Sequence, residues 1–254
     1  METILETRTL RKEFGGLVAV NDVDLAIEAG RLTALIGPNG AGKTTLFNLI
    51  DGSLHPTRGE IVLGGRLLDG MPPHARAAAG LARTWQSALL FANMTVLENV
   101  MVGRHTRSRT GLLGAAFRLP QARREEEETK RKAAMYLNLV GLGMQANEGA
   151  AALPFGQQRL VAIARALASE PRLLMLDEPG AGLNAIEKQG LAELLLRVRE
   201  MGVTLLLVEH DMDLVMRVAD WVVVLDYGVK IAEGTAPQVQ KDKKVVAAYL
   251  GEEE

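Results

Sequence analysis

The chain has 254 residues, of which 48% are apolar and 24% are charged, and its formal net charge is −2. These values are ordinary for a globular protein and allow one large α/β domain with an insertion, or two small domains. The balanced charge gives no reason to expect nucleic-acid binding, and the lack of cysteine excludes structural disulfides and cysteine-ligated zinc or Fe–S sites.

The N-terminal residues 1–6 lack the basic segment and the apolar core of a signal peptide. The longest apolar runs, such as residues 221–225, are too short to span a bilayer. We therefore expect any action at a membrane to depend on a partner protein.

The first predicted elements are strands. Residues 22–27 alternate between polar or small residues and branched apolar residues, which is the pattern of a half-solvated antiparallel strand. Residues 32–36 are apolar except for Thr33 and predict a buried strand. Residues 3–36 are therefore expected to be strands and turns, and a further short strand is predicted at 61–63.

A glycine-rich loop follows the buried strand and precedes a predicted helix. Its residues are Gly37, Pro38, Asn39, Gly40, Ala41, Gly42, Lys43, Thr44 and Thr45. The glycines let the backbone wrap closely around an oxyanion, and the helix start directs unpaired N–H groups at it. Lys43 is predicted to lie along the β- and γ-phosphates of a nucleotide, and the Thr44 hydroxyl is predicted to ligate Mg²⁺.

The middle of the chain, residues 88–155, has few β-branched runs and several segments of helical period, including 121–140. Residues 103–114 show no period and predict a loop. We therefore predict a helical subdomain at 88–155, inserted into a core made of residues 1–87 and 156–254, within a single domain of residues 1–254.

From residue 156 onward, predicted helices alternate with continuously apolar strands. The strands are expected at residues 173–176, 203–208 and 221–225. Continuous rather than alternating apolar strands, separated by helices, indicate a mainly parallel sheet covered on both faces. The predicted fold class is α/β.

Ligands of such sheets bind at the carboxyl ends of the strands, where this chain places polar residues. One strand ends in the glycine loop, a second in Asp177 and Glu178, and a third in Glu209, His210 and Asp211. Asp177 fits a carboxylate that holds Mg²⁺ through water, and Glu178 is placed to orient or deprotonate a water that attacks the γ-phosphate. His210 is predicted to contact the γ-phosphate.

Gln86 is a weaker candidate, and chemistry alone would allow it to reach Mg²⁺ or the attacking water. Two other enzyme classes are disfavoured. The four histidines are scattered, so they form no ligand cluster for a mononuclear metalloenzyme. No N-K-x-D tetrapeptide for reading guanine is present, which disfavours a GTPase.

Taken in order, these motifs resemble those of ABC-transporter ATPase subunits. The matching positions are 37–45, Gln86, 153–158, 173–179, 181–184 and His210. A finer resemblance is to the LivG-type subunit of branched-chain amino-acid uptake transporters, through residues 14–17, 21–23, 83–86, 98–100, 156–159, 208–212 and 231–235. The resemblance implies a P-loop NTPase core, an N-terminal antiparallel β subdomain, an inserted helical subdomain and MgATP hydrolysis that powers uptake of branched-chain or other hydrophobic amino acids.

The resemblance also implies partners. Two ATPase subunits, identical or related, would pair head to tail, and the signature segment of each would cap the ATP held by the other. That segment consists of Pro154, Phe155, Gly156, Gln157 and Gln158. Phe14 matches the aromatic that stacks on adenine, although it could be an ordinary strand residue.

The helical subdomain, with Gln86 at its hinge, would receive a cytoplasmic helix of a transmembrane permease subunit. Leu89, Leu90 and Phe91 are candidates for that groove, with core packing as the alternative. The ATPase would then lie on the cytoplasmic face of the membrane and act indirectly with a solute-binding protein.

Two departures from the family pattern affect the site completed by the second subunit. The usual signature is L-S-G-G-Q, whereas here Pro154 and Phe155 replace the serine and the first glycine. Proline has neither hydroxyl nor N–H, so the donors expected to remain are the N–H groups of Gly156, Gln157 and Gln158 at a helix start. The D-loop, residues 181–184, also ends in Asn184 where many relatives have aspartate.

Two other functions remain as alternatives. A non-transport ABC ATPase, such as one serving Fe–S cluster assembly, also uses single domains of this size. A nucleotide-gated module without turnover is the second, although Glu178 and His210 argue against it.

Overall fold

The protein divides into two compact units. One unit is Met1–Arg83 with Arg172–Glu254, and the other is Thr84–Pro171. The fold is that of a computed structural model, which describes residues 2–85, 89–107 and 120–250.

The strands predicted at residues 61–63, 173–176, 203–208 and 221–225 are present, and so is the helix after the glycine loop. The strands are β1 (Thr3–Phe14), β2 (Leu17–Glu28), β3 (Leu32–Ile36), β4 (Arg58–Leu63), β5 (Arg66–Leu67), β6 (Leu81–Thr84), β7 (Leu173–Asp177), β8 (Thr204–Val208), β9 (Trp221–Asp226) and β10 (Val229–Gly234). The helices are α1 (Lys43–Asp51), α2 (Pro73–Ala78), α3 (Val96–Val102), α4 (Pro120–Leu139), α5 (Phe155–Ala168), α6 (Ala185–Glu200), α7 (Met212–Val218), α8 (Ala236–Gln240) and α9 (Lys243–Leu250).

The N-terminal sheet is antiparallel and has the strand order β2-β1-β4-β5. In β2, Val23, Leu25 and Ile27 are buried while the residues between them are exposed, which confirms the predicted half-solvated strand. The buried face of this sheet shares one apolar core with α1 and with side chains of the second sheet.

The second sheet has the order β10-β9-β3-β8-β7-β6, and β3 pairs in parallel with β8 and β9. Strands β3, β7 and β8 are buried at every position. A strand that is covered on both faces has no solvated side, so its sequence is mostly apolar and does not alternate with polar residues. The predicted parallel sheet is confirmed, with β10 added antiparallel to β9 at one edge.

Helix α1 is anchored at both ends. Its N-terminus follows the glycine loop, and Phe47 and Ile50 are fully buried in the core. At its other end, the buried Arg76 guanidinium donates to the carbonyl oxygens of Leu49 (2.7 Å) and Ile50 (2.8 Å). A cation at a helix C-terminus satisfies carbonyl groups that have no partner within the helix.

The helical unit spans Thr84–Pro171 and is wider than the predicted 88–155. Helix α5 belongs to it because it packs on α3 and α4. Residues 105–107 form a short 3₁₀ turn within the predicted loop at 103–114, whose remaining part from 108 lies outside the described residues. No helix in the described part of the chain is long and apolar enough to cross a membrane.

Candidate functional site

The glycine loop presents backbone donors to one side of the sheet. Gly42 caps α1 with φ 98°, and its carbonyl accepts from Leu46 N (2.9 Å). In the described residues, no acceptor faces the N–H groups of the next three residues, Lys43 to Thr45. A helix start with unpaired donors favours an anion such as a phosphate.

Two glycines of the loop are required by close backbone contacts. A Cβ at Gly37 would lie 2.1 Å from the Leu225 carbonyl oxygen, and a Cβ at Gly42 would lie 2.4 Å from that of Ala19. Both also have positive φ angles, 149° and 98°, which favour glycine. The loop therefore fits its surroundings only with glycine at these positions.

The Lys43 side chain is buried and lies against the loop itself. Its Nζ donates to the carbonyl oxygens of Gly37 (2.7 Å) and Pro38 (2.9 Å). Burial lowers the pKa of the Lys43 ammonium from its usual value, and the carboxylates of Glu178 and Asp177 partly offset that effect. The ammonium is thus held next to the N–H groups that would bind phosphate.

The structure brings together the three strand ends that the sequence singled out. Strand β8 lies between β3 and β7, and Asp177 is in register with Val208. Glu178 donates its N–H to the Val208 carbonyl (2.9 Å) and has a positive φ of 46°. His210 Nδ1 lies 3.9 Å from Glu178 Oε2. The proposed base and the proposed phosphate sensor are therefore neighbours.

Sequence reasoning missed the role of Arg83. Its side chain is only 5% exposed, and its Nη2 lies 2.7 Å from Asp177 Oδ2. The same guanidinium donates to Asn48 Oδ1 (2.7 Å) and also pairs with the buried Asp51, both on α1. An arginine in a short segment with apolar residues on either side was the available signal, because a buried charge requires partners.

The site fits a nucleotide with a divalent cation. Thr44 is exposed beside the loop donors, and Asp177 lies at the end of β7. Mg²⁺ is usually held by one or two protein oxygens together with substrate phosphates, rather than by a complete protein cage. The Thr44 hydroxyl and the Asp177 carboxylate match the protein oxygens of such a site, and the row of N–H groups would hold the phosphates that complete it.

The signature segment lies in the helical unit, where it forms the start of α5. Pro154 is the N-cap, and its carbonyl accepts from Gln158 N (3.0 Å). The expectation that the Gln158 N–H is available was therefore wrong, because the fourth N–H after an N-cap begins the helical bonding pattern. The donors that the start of this helix leaves for a ligand are the N–H groups of Phe155, Gly156 and Gln157.

The D-loop ends in a helix cap that the resemblance to relatives had not suggested. Asn184 Oδ1 accepts from Glu187 N (3.0 Å), and Glu187 Oε2 accepts from Asn184 N (2.9 Å). This reciprocal pair is a capping box at the start of α6. Asn184 thus has a structural role in addition to any at a subunit interface.

The remaining predicted residues are placed as follows. Phe14 ends β1, is 46% exposed, and its ring centroid lies 5.0 Å from Lys12 Nζ. Leu89 and Phe91 are 66% and 48% exposed, so core packing does not account for them. Gln86 lies outside the described residues.

Comparison with protein families gives two matches. Residues 20–181 match the family model described as ABC transporter. Residues 229–254 match a second model, described as branched-chain amino acid ATP-binding cassette transporter. The first match includes the glycine loop, the signature segment and the Asp177–Glu178 strand end, and the second covers β10 and the C-terminal helices.

Individual relatives are similar over the whole chain. One is the high-affinity branched-chain amino acid transport ATP-binding protein BraF of Pseudomonas aeruginosa, 46% identical over 250 residues, with 98% of each chain covered. The corresponding LivG protein of Escherichia coli is 43% identical over 252 residues, with 99% of each covered.

A solved structure shows the same fold in a dimer. It is an ATP-binding cassette in a post-hydrolysis state, bound to ADP and Pi. The similarity has a TM-score of 0.77 at 26% identity, and covers 92% of this chain and 99% of that one.

Proposed function

Since this chain belongs to the ABC transporter family of ATP-binding proteins, we propose that it hydrolyses MgATP to power the import of branched-chain or other hydrophobic amino acids. One observation carries the proposal for this chain's own residues. The glycine loop, the Asp177–Glu178 pair and His210 follow three adjacent parallel strands and meet at one edge of the sheet. That edge is where α/β sheets bind nucleotides.

Each residue of the site has a separate role in phosphoryl transfer. Lys43 and the N–H groups at the start of α1 bind the phosphates, and Thr44 and Asp177 hold Mg²⁺. When bound, Mg²⁺ neutralises charge on the phosphate oxygens. Glu178 orients or deprotonates the attacking water, and His210 and Gln86 contact the γ-phosphate or its water. Preorganised charge supplies most of the catalysis, because phosphoryl transfer requires little covalent chemistry from the protein.

A second ATPase subunit completes the site. The N–H groups of Phe155, Gly156 and Gln157 form an anion-binding helix start in the helical unit. In the head-to-tail pair this helix start caps the ATP of the partner subunit, and Phe14 stacks on adenine of its own subunit's ATP. The similar cassette that is dimeric when bound to ADP and Pi supports the pairing of two subunits. Pro154 supplies no hydroxyl, so the cap depends on backbone donors alone.

Transport requires membrane partners. Leu89 and Phe91 are exposed apolar residues of the helical unit, and they suit the groove for a helix of a transmembrane permease subunit. We place the protein at the cytoplasmic face of the membrane through that contact, with a solute-binding protein acting indirectly. Both relatives are named as branched-chain amino acid transport ATP-binding proteins, and these names support the proposed substrate class.

The alternative functions are less well supported. An Fe–S assembly ATPase is not favoured, since full-length relatives and the match at residues 229–254 both point to amino-acid transport. A module that binds nucleotide without turnover is disfavoured by the adjacent Glu178 and His210.

The decisive experiment isolates the protein with its partners from the native membrane. We expect membrane permease subunits to co-purify, and the ATPase activity of the complex to rise when a branched-chain amino acid and its binding protein are added. Co-purification with soluble scaffold proteins alone would favour the Fe–S assembly class. A complex that hydrolyses ATP but responds only to other solutes would contradict the substrate class.

A further inference from the structure

A buried acid lies between the loop after β7, which carries Glu178, and the loop after β8, which carries His210. Glu209 directly follows β8, precedes His210, and is 0% exposed. Its Oε1 accepts from Gly180 N (2.6 Å), and its Oε2 accepts from His210 N (3.2 Å) and Asp211 N (3.4 Å). One carboxylate therefore receives backbone donors from the loops after both β7 and β8.

These donors compensate for burying the carboxylate. A carboxylate removed from water requires hydrogen bonds or an opposite charge. Among the described residues, no lysine or arginine forms an ion pair with Glu209. The nitrogen that comes within ion-pair distance of its carboxylate is His210 Nδ1, which lies 4.0 Å from Oε2. The backbone of the two loops therefore supplies its partners.

The loop after β7 is a tight turn that contacts Glu209 through Gly180. Ala181 N donates to the Glu178 carbonyl (3.2 Å), which closes the turn around Gly180. A Cβ at Gly180 would lie 2.8 Å from Glu209 Oε1, so the small residue and the acid fit together. Glu178 itself has a φ of 46°, which is uncommon for a residue with a side chain.

We propose that Glu209 is a positioning residue for hydrolysis, whose carboxylate ties the Glu178 turn to the His210 loop. The tie fixes the separation of the two side chains that act on the γ-phosphate and its attacking water. A displacement of about 1 Å of a reacting group can lower a rate by about 100-fold, so such a tie has kinetic consequences. The inference rests on the proposed ATPase function for its rate effect, but not for its structural effect.

The test replaces the carboxylate with an amide in the full chain, Glu209→Gln. Glutamine has one acceptor oxygen, so one of the two loops loses its acceptor and faces an NH₂ donor. We expect kcat for ATP to fall by about 10-fold or more, while KM for ATP stays within about 2-fold. KM is retained because the phosphates are bound by the glycine loop and Lys43.

A matched control separates positioning from stability. The carboxylate of Asp220 also accepts a hydrogen bond from a backbone N–H group, that of Leu32 (2.9 Å), and it accepts a second one from the Arg199 side chain (2.6 Å). Unlike Glu209, Asp220 lies at the amino end of the parallel strands. Asp220→Asn should lower the melting temperature and leave kcat within about 2-fold of the parent. If both variants lose the same fraction of kcat, the positioning role is wrong.

A second variant and a second measurement keep the proposal testable if Glu209→Gln does not fold. Gly180→Ala disturbs the same contact from the other loop, and we expect the same loss of kcat with unchanged KM. Amide hydrogen exchange gives a readout without turnover. In Glu209→Gln, exchange should accelerate at Gly180 or at His210 and Asp211, and stay unchanged there in Asp220→Asn.

The outcomes separate this inference from the function on which it rests. A parent protein without ATPase activity contradicts the proposed function, while faster exchange in Glu209→Gln still supports the tie. A parent with turnover, together with kcat of both Glu209→Gln and Gly180→Ala within about 2-fold of it, overturns the inference.

Discussion

Arg83 Nη2 lies 2.7 Å from Asp177 Oδ2, and both side chains are buried. The same guanidinium donates to Asn48 on α1, so the carboxylate proposed for Mg²⁺ is connected to the helix that begins with Lys43. The carboxylate of Asp177 is therefore held in place by an arginine that also contacts the helix leading from the glycine loop.

Replacing this arginine should be costly for stability. Arg83→Met leaves Asp51 and Asp177 buried without their cation, and we expect the free energy of unfolding to fall by about 3 kcal/mol or more. Denaturant unfolding of the full chain measures it. The matched control is Arg58→Met, because Arg58 pairs with Asp22 at the surface, with side chains 59% and 40% exposed.

The control should cost less than about 1 kcal/mol, since exposed ion pairs contribute little. Equal losses in Arg83→Met and Arg58→Met would show that the buried network adds nothing beyond a surface pair.

Removing the lysine of the glycine loop should abolish nucleotide binding. In Lys43→Ala the phosphates lose their buried cation, so the rise in melting temperature caused by MgATP should disappear. Lys230→Ala is the control, because Lys230 pairs with Glu233 on β10 at the surface. A thermal shift in Lys43→Ala equal to that of the parent refutes the phosphate-binding role.

Neutralising Glu178 should separate binding from hydrolysis. Glu178→Gln keeps the shape of the side chain but cannot accept a proton, so phosphate release should fall by about 100-fold or more while the MgATP thermal shift remains. Glu193→Gln, at an exposed position on α6, controls for loss of one negative charge. Turnover of Glu178→Gln near that of the parent would exclude the general-base role.

The capping box at the start of α6 predicts a stability effect that depends on the side-chain acceptor. Asn184→Ala removes the oxygen that accepts from Glu187 N, and we expect a loss of about 1 kcal/mol in the free energy of unfolding. Asn184→Asp keeps an acceptor and should retain that stability. If denaturant unfolding gives the same value for Asn184→Ala and Asn184→Asp, the cap is not contributing.

Much of the fold could be predicted because its signals are local. The apolar residues 173–176 and the residues 203–208, apolar except for Thr204, predicted buried strands, and β7 and β8 lie there. The segment around the glycine loop predicted a strand, a turn and the start of a helix, and the structure has β3, the loop and α1 in that order. Periodicity and turn chemistry act over a few residues, so the sequence alone displays them.

The bounds of the helical unit were less predictable. The pattern of α5 resembles that of any amphipathic helix, and only its packing on α3 and α4 assigns it to Thr84–Pro171. A hydrophobic face shows that a helix is buried on one side but does not name the surface that buries it.

Local motifs already contain the candidate chemistry: a predicted phosphate-binding loop, two acids and a histidine, each at the end of a predicted strand. How these groups are held becomes visible only in the assembled fold. Arg83 meets Asp177 across 94 positions of the chain, and Glu209 meets Gly180 across 29. Such partners are chosen by strand order, and strand order is a property of the assembled sheet that no short stretch of sequence contains.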